Sequence, residues 1–150
     1  MPPQLKKGRG SLSNQTGRFE TLVKEDFDDG WDDPDKYPEK IPTQLSVDSA
    51  KTVITYNQSP DVPLDRSINP YRGCEHGCVY CFARPSHAYL DLSPGLDFET
   101  KLFYKPDAPE LLKVELSAKN YRPAPIALGI NTDAYQPVER QLKLTRRLLE

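Results

Sequence analysis

All three cysteines of the chain fall within eight residues, in the stretch "RGCEHGCVYCFARPSH", and this constrains the fold more than any other feature. Cys74, Cys78 and Cys81 are spaced C-x3-C-x2-C, and no fourth cysteine exists to complete a square set. Three of three thiols beside Arg72, Glu75, His76 and Gly77 are not the composition of an apolar core. The stretch reads as a loop that gathers soft ligands, and Gly73 and Gly77 permit the backbone angles such a wrap needs. The elements on either side must hold that loop at one end of the fold.

Those elements follow a recognisable rhythm. Val53, Ile54 and Tyr56 in "AKTVITYN" are strand formers, and "NQSPDVP" ends the segment with turn chemistry. "LDRSINPYRG" then runs as a short extended piece into the cysteines, closed by Gly73. Beyond them, "ARPSHAYLDL" predicts a helical turn or more, and "FETKLFYK" alternates like a strand. "DAPELLKVELSAKN" predicts a helix with Asp107 as N-cap, Glu110 as its capping-box partner and Pro109 in the first turn. "APIALGI" reads as a strand covered on both faces, "NTDAYQP" as a loop. "VERQLKLTRRLLE" predicts a single helix with Val138, Leu142, Thr145 and Leu149 on its inner side.

Strands alternating with helices predict an α/β fold with a parallel sheet. The pattern stops in mid-helix at Glu150, and so few strands cannot close a barrel. The expectation is the N-terminal part of a longer protein, with residues 1–45 as an irregular arm and 46–150 as the start of the core domain. Residues 1 to about 18 are polar and read as flexible. The acidic run from Lys24 to Lys40 carries Phe27, Trp31 and Tyr37, and reads either as a solvated extended arm or as one whose aromatics dock.

Three chemistries compete for the cysteines. A structural zinc site needs four closed ligands, so His76 or His87 would have to be the fourth, and the chain would be a zinc-held interaction module. A thiol redox pair would use Cys78 and Cys81 as C-x-x-C and leave Cys74 without a role. An iron–sulfur cluster takes thiolates, and a four-iron cluster has four corners. Three cysteines would then leave one iron open for a chelating ligand with an amine and a carboxylate.

At these residues the sequence resembles the radical S-adenosylmethionine (SAM) superfamily, whose signature is C-x3-C-x2-C with an aromatic, here Tyr80, before the last cysteine. "SINPYRGCEHGCVYCFARPSH" and "NTDAYQPVE" look like the spore photoproduct lyase-like branch, in a subgroup of uncharacterised bacterial proteins. The resemblance covers roughly residues 50 to 150. It implies a partial parallel (β/α) barrel, a 4Fe-4S cluster and S-adenosyl-L-methionine as cofactors, and a lyase-like radical SAM enzyme. In that family the reduced cluster cleaves SAM, and a 5′-deoxyadenosyl radical abstracts a substrate hydrogen. Cys74, Cys78 and Cys81 match the metal ligands, and Tyr80 the aromatic near the adenine.

The family also meets the SAM amino group at the end of the strand matching "PIALGI", often through a G-G-E type motif. This sequence departs from that form and has Asn131, Thr132 and Asp133. Thr132 or Asp133 can accept a hydrogen bond from an ammonium, while an Asx-type turn capping the next helix is the plainer alternative. Tyr135 and Gln136 lie at the same mouth without an assigned role. Arg72 and Arg84 flank the loop and either meet a carboxylate or lie solvated, and Lys101 and Glu99 point inward or outward on their strand. "RRLLE" reads as a helix face.

Charge and hydropathy bound the partners. The net charge of -2 and the absence of a basic-aromatic stripe do not indicate a nucleic-acid groove, although the resemblance brings DNA-lesion repair into view. No apolar run reaches membrane length, and "MPPQLKKGRGSLSNQTG" lacks the apolar core of a secretory signal. A cytoplasmic enzyme reduced by a flavodoxin or ferredoxin is the expectation, with the substrate unassigned.

Overall fold

The computed structural model describes residues 8–22 and 41–150. The acidic aromatic run lies outside them. Among the described residues, six short strands form two three-stranded sheets, and both are mixed. In the first, β1 (Gln44–Val47) lies parallel to β5 (Lys101–Tyr104), and β4 (Tyr71–Arg72) lies antiparallel to β5 on its other side. In the second, β2 (Ile54–Tyr56) is antiparallel to β3 (Arg66–Ile68), and β3 is parallel to β6 (Ala127–Leu128). The expectation of a purely parallel sheet is therefore corrected. The β2 to β3 connection is short enough to reverse direction, whereas β3 and β6 are joined through a helix, as parallel neighbours must be.

That helix, α2 (Ala108–Leu116), lays Ala108 and Leu112 on the second sheet. There they pack with Val53, Ile54 and Ile68, rimmed by Leu111, Tyr121, Ile126 and Leu128. The expected capping box does not form. Asp107 has near-helical dihedrals and makes no side-chain cap, because an N-cap needs extended backbone, and Glu110 pairs with Arg147 at 2.8 Å. A second cluster joins Tyr71 and Leu102 of the first sheet to Val138 and Leu144.

Three elements differ from their sequence reading. "FETKLFYK" is not one strand: α1 (Leu96–Thr100) precedes β5, and all five helical residues are buried. The helix is set by distant partners, since the Leu96 N–H donates to the Ser13 carbonyl at 3.3 Å and the Asp97 N–H to Asn14 Oδ1 at 3.1 Å. "VERQLKLTRRLLE" breaks into α3 (Glu139–Leu142) and α4 (Leu144–Leu149) at Lys143, whose φ is 51°. The break turns Leu144 into the core and leaves Leu149 66% exposed. β6 is an edge strand paired with β3 alone, so "APIALGI" is half-buried rather than covered on both faces. No described helix is long and apolar enough to cross a membrane.

Candidate metal centre

The cysteine loop leaves the end of β4, and the loop "NTDAYQP" leaves the end of β6, which is parallel to β3. The second loop lies beyond the C-terminal end of a parallel strand, the position where ligands gather in parallel sheets. Gly73 and Gly77 have φ of 77° and 62°, the left-handed region that favours glycine. A Cβ on Gly73 would stand 2.9 Å from the Phe98 carbonyl oxygen and 3.0 Å from the His87 ring, so space as well as angle requires glycine.

Inside the loop, the Gly77 N–H donates to the Cys74 carbonyl at 3.3 Å and the Cys81 N–H to the Cys78 carbonyl at 3.2 Å. Arg84 braces these turns from behind. Its Nη2 donates to the Gly77 carbonyl at 2.7 Å, its Nε to the Cys78 carbonyl at 2.9 Å, and its Nη1 to the carbonyls of Pro94 and Gly95. The same Nη2 meets Glu99 Oε1 at 2.5 Å, and the guanidinium lies 5.3 Å from the Phe98 ring centroid. Glu99 is fully buried; its Oε2 accepts the backbone N–H groups of Arg9 at 2.7 Å and Gly10 at 3.0 Å. Residues 9–15, expected to be flexible, are thus hydrogen-bonded to the loop's support. Glu99 sits on a helix, not on a strand as expected, and points inward.

All three cysteines are free. Cys74 is buried and shares an apolar cluster with Ala83, Phe98 and the partly buried Cys81, while Cys78 is exposed. Burial pushes the Cys74 thiol above its ordinary value, against the backbone N–H groups of His76 and Asp133 directed at it, with the Asp133 and Cys81 charges adding to the rise. Among the described residues, no three His, Cys, Asp or Glu side chains are gathered closely enough to hold an ion. Three free thiols on one glycine-hinged loop fit an iron–sulfur group in donor chemistry and spacing. To ligate it together, the three thiols would have to draw closer than they stand.

The residues after β6 reach this loop by several routes. Asp133 Oδ2 pairs with His76 Nε2 at 3.1 Å, and Asp133 Oδ1 accepts the Tyr135 N–H at 2.8 Å, so the Asx turn and the approach to the cysteines coexist. The Thr132 hydroxyl donates to the Tyr71 carbonyl at 3.1 Å and is buried. Asn131 is exposed, and its N–H donates to Asn69 Oδ1 at 2.9 Å. Tyr80 is 87% exposed. The strongest link is one the sequence left without a role: the fully buried Gln136 accepts the Glu75 N–H at 2.9 Å and donates to the Gly73 carbonyl at 3.4 Å. Only its position at the loop mouth signalled it.

The other candidates are occupied. His87 is fully buried, and its Nε2 donates to the Lys101 carbonyl at 2.8 Å; His76 faces Asp133. Arg72 pairs with Asp48 at 2.9 Å, and Lys101 with Asp97 at 3.0 Å.

No family model matches the chain, and no solved structure matches it. It is similar to the uncharacterized protein Rv2578c of Mycobacterium tuberculosis and to Mb2609c of Mycobacterium bovis, each 46% identical over 83 residues, or 55% of this chain and 24% of the relative. The uncharacterized protein MJ0683 of Methanocaldococcus jannaschii is 30% identical over 83 residues, covering 29% of its length. The matched region thus spans 24% to 29% of the length of these relatives, whose names assign no activity.

Proposed function

We propose that this chain carries the cluster-binding part of a radical SAM enzyme on a partial (β/α) barrel, with Cys74, Cys78 and Cys81 as ligands of a 4Fe-4S cluster. The observation that carries the reading is the meeting of two loops: Asp133, beyond β6, pairs at 3.1 Å with His76, which lies between the first two cysteines, and Gln136 accepts the Glu75 N–H at 2.9 Å. When bound, the cluster and S-adenosyl-L-methionine together supply the one-electron cleavage that starts hydrogen abstraction. The chain's own residues bind and orient. The N–H groups of His76 and Asp133 lower the energy of a thiolate at Cys74, which burial alone would disfavour. Arg84, tied to Glu99, holds the carbonyls of Gly77 and Cys78 so that the loop keeps its course. Asp133 offers an exposed carboxylate to an ammonium, and Tyr80 an exposed ring to an adenine. A flavodoxin or ferredoxin would supply the electron, and the substrate, a DNA lesion included, is left open.

Anaerobic reconstitution with iron and sulfide tests the ligands. The protein should turn brown with broad visible absorption, and Cys74→Ala, Cys78→Ala or Cys81→Ala should each lose the cluster. Retention of a full cluster in any one of the three would overturn the assignment, as would a colourless protein that takes up zinc instead. Asp133→Ala should weaken SAM binding with iron content unchanged, and equal affinity would reduce that loop to turn-forming.

A further inference from the structure

The net charge of -2 conceals a local excess of cations where α3 meets α4. A cavity of about 360 Å³ opens there, lined by Tyr135, Gln136, Glu139, Arg140, Lys143 and Arg146. Arg146 is paired with Glu150 at 2.8 Å, but among the described residues neither Arg140 nor Lys143 has a carboxylate partner. The one carboxylate in the lining does not neutralise them at close range. Glu139 is buried, with Oε2 accepting the Tyr71 hydroxyl and Oε1 the Arg146 N–H at 3.2 Å. Tyr135, 65% exposed, presents a ring at the same cavity.

Two unpaired cations of different geometry beside an aromatic surface suit one ligand chemistry. A guanidinium offers a planar fork to phosphate oxygens, an ammonium a point charge, and an exposed ring a stacking face for a base. The volume falls in the range of small-ligand pockets. We infer that this cavity binds a phosphate group carrying an aromatic base, with the phosphate between Arg140 and Lys143 and the base against Tyr135. Gln136 joins the cavity to the cysteine loop through Glu75 and Gly73, so the ligand would lie next to the candidate metal centre. The inference rests on charge and shape alone and holds whether or not the cysteines bind a cluster.

Titration calorimetry on the full chain, without added metal, tests it with adenosine diphosphate, pyrophosphate, adenosine and hexathymidylate. The two phosphate compounds should bind saturably and adenosine should not, with affinity falling as salt rises from about 50 to 200 mM. Arg140→Gln and Lys143→Gly should each weaken binding by about five-fold or more, as expected for loss of a charged hydrogen bond. Glycine suits the left-handed backbone at position 143, so that variant keeps its fold. Arg147→Gln, whose parent side chain is paired with Glu110, should bind like the parent. Tyr135→Ala should weaken the diphosphate nucleoside but not pyrophosphate. Tighter binding of hexathymidylate than of the mononucleotide assigns the phosphate to a polymer, and the reverse to a free nucleotide. Failure to saturate by millimolar ligand overturns the site. Equal losses in Arg147→Gln and Lys143→Gly also overturn it, because they would mean diffuse attraction.

Discussion

At the residue scale, the decisive partnership is Arg84 with Glu99. Neither position announced it: an arginine beside cysteines and a glutamate in an alternating stretch read equally well as solvated groups. Their burial makes the pair sensitive, because removal of either leaves a charge without its counter-charge in a site shielded from water. Glu99→Leu should lower the unfolding free energy by about 3–5 kcal/mol in urea titrations. The same variant should lose cluster uptake in proportion, since Arg84 would be freed from the carbonyls of Gly77 and Cys78.

His87 adds a pH dependence at the same scale. Burial holds its ring below the ordinary value near 6.5, against the Lys101 carbonyl and the Asp97 charge, which favour the proton, and with Arg72, which opposes it. Nδ1 has no hydrogen-bond partner among the described residues. The unfolded chain takes up a proton as pH falls through about 6.5 while the folded one resists. Stability should therefore be intact above that pH and decline below it, by at most about 1.4 kcal/mol per pH unit. Denaturation midpoints at pH 7.5 and 5.5 check this, and His87→Gln should flatten the slope in that window. Asp97 acts lower down. Burial raises its carboxyl, but Lys101 and the Ser93 N–H outweigh that and hold it below the usual range, so its contribution is lost only under acid conditions.

At the element scale, α2 was legible because its apolar positions, its proline and its length are local properties. Its attachment was not. Glu115 at its end accepts the N–H groups of Val53 and Ile54 at 2.5 and 3.3 Å, tying helix to sheet. Glu115→Ala should cost about 1–3 kcal/mol by leaving those donors unsatisfied. The break at Lys143 was likewise hidden, since no glycine or proline marks it. A single helix would keep Leu149 on the inner stripe, whereas the kink places Leu144 against Tyr71 and Leu102. Thr145 also gains the Ala134 carbonyl at 2.6 Å. Core burial outweighs the roughly 1–2 kcal/mol that a left-handed residue costs. Lys143→Gly should therefore stay within about 1 kcal/mol of the parent, while Lys143→Val should lose about 1–2 kcal/mol, both read from thermal melts.

At the scale of the whole molecule, the segment from Arg9 to Gln15 lies against α1 and the cysteine loop. Ser13 and Asn14 supply acceptors to the start of α1, Ser93 donates its hydroxyl to the Gln15 carbonyl, and Arg9 reaches Glu99 and, at 3.5 Å, Glu75. Hydrogen exchange measured by mass spectrometry should show faster exchange across residues 93–100 and the cysteine loop in an Arg9→Ala, Asn14→Ala variant, with α2 unchanged. Unaltered exchange would mean that the contacts carry no stability.

The sequence alone determined what depends on near neighbours: the cysteine spacing, the glycines at left-handed positions, the helix after Asp107 and the turn formed by Asp133. Tertiary structure decided what depends on residues remote in the chain. The α1 helix over a strand-like stretch, the burial of Glu99, the reach of Gln136 and the union of the two loops all follow from partners some 60 to 90 positions away. A hydrogen bond or a buried charge is stabilised by whatever faces it in space, and periodicity along a chain carries no record of that.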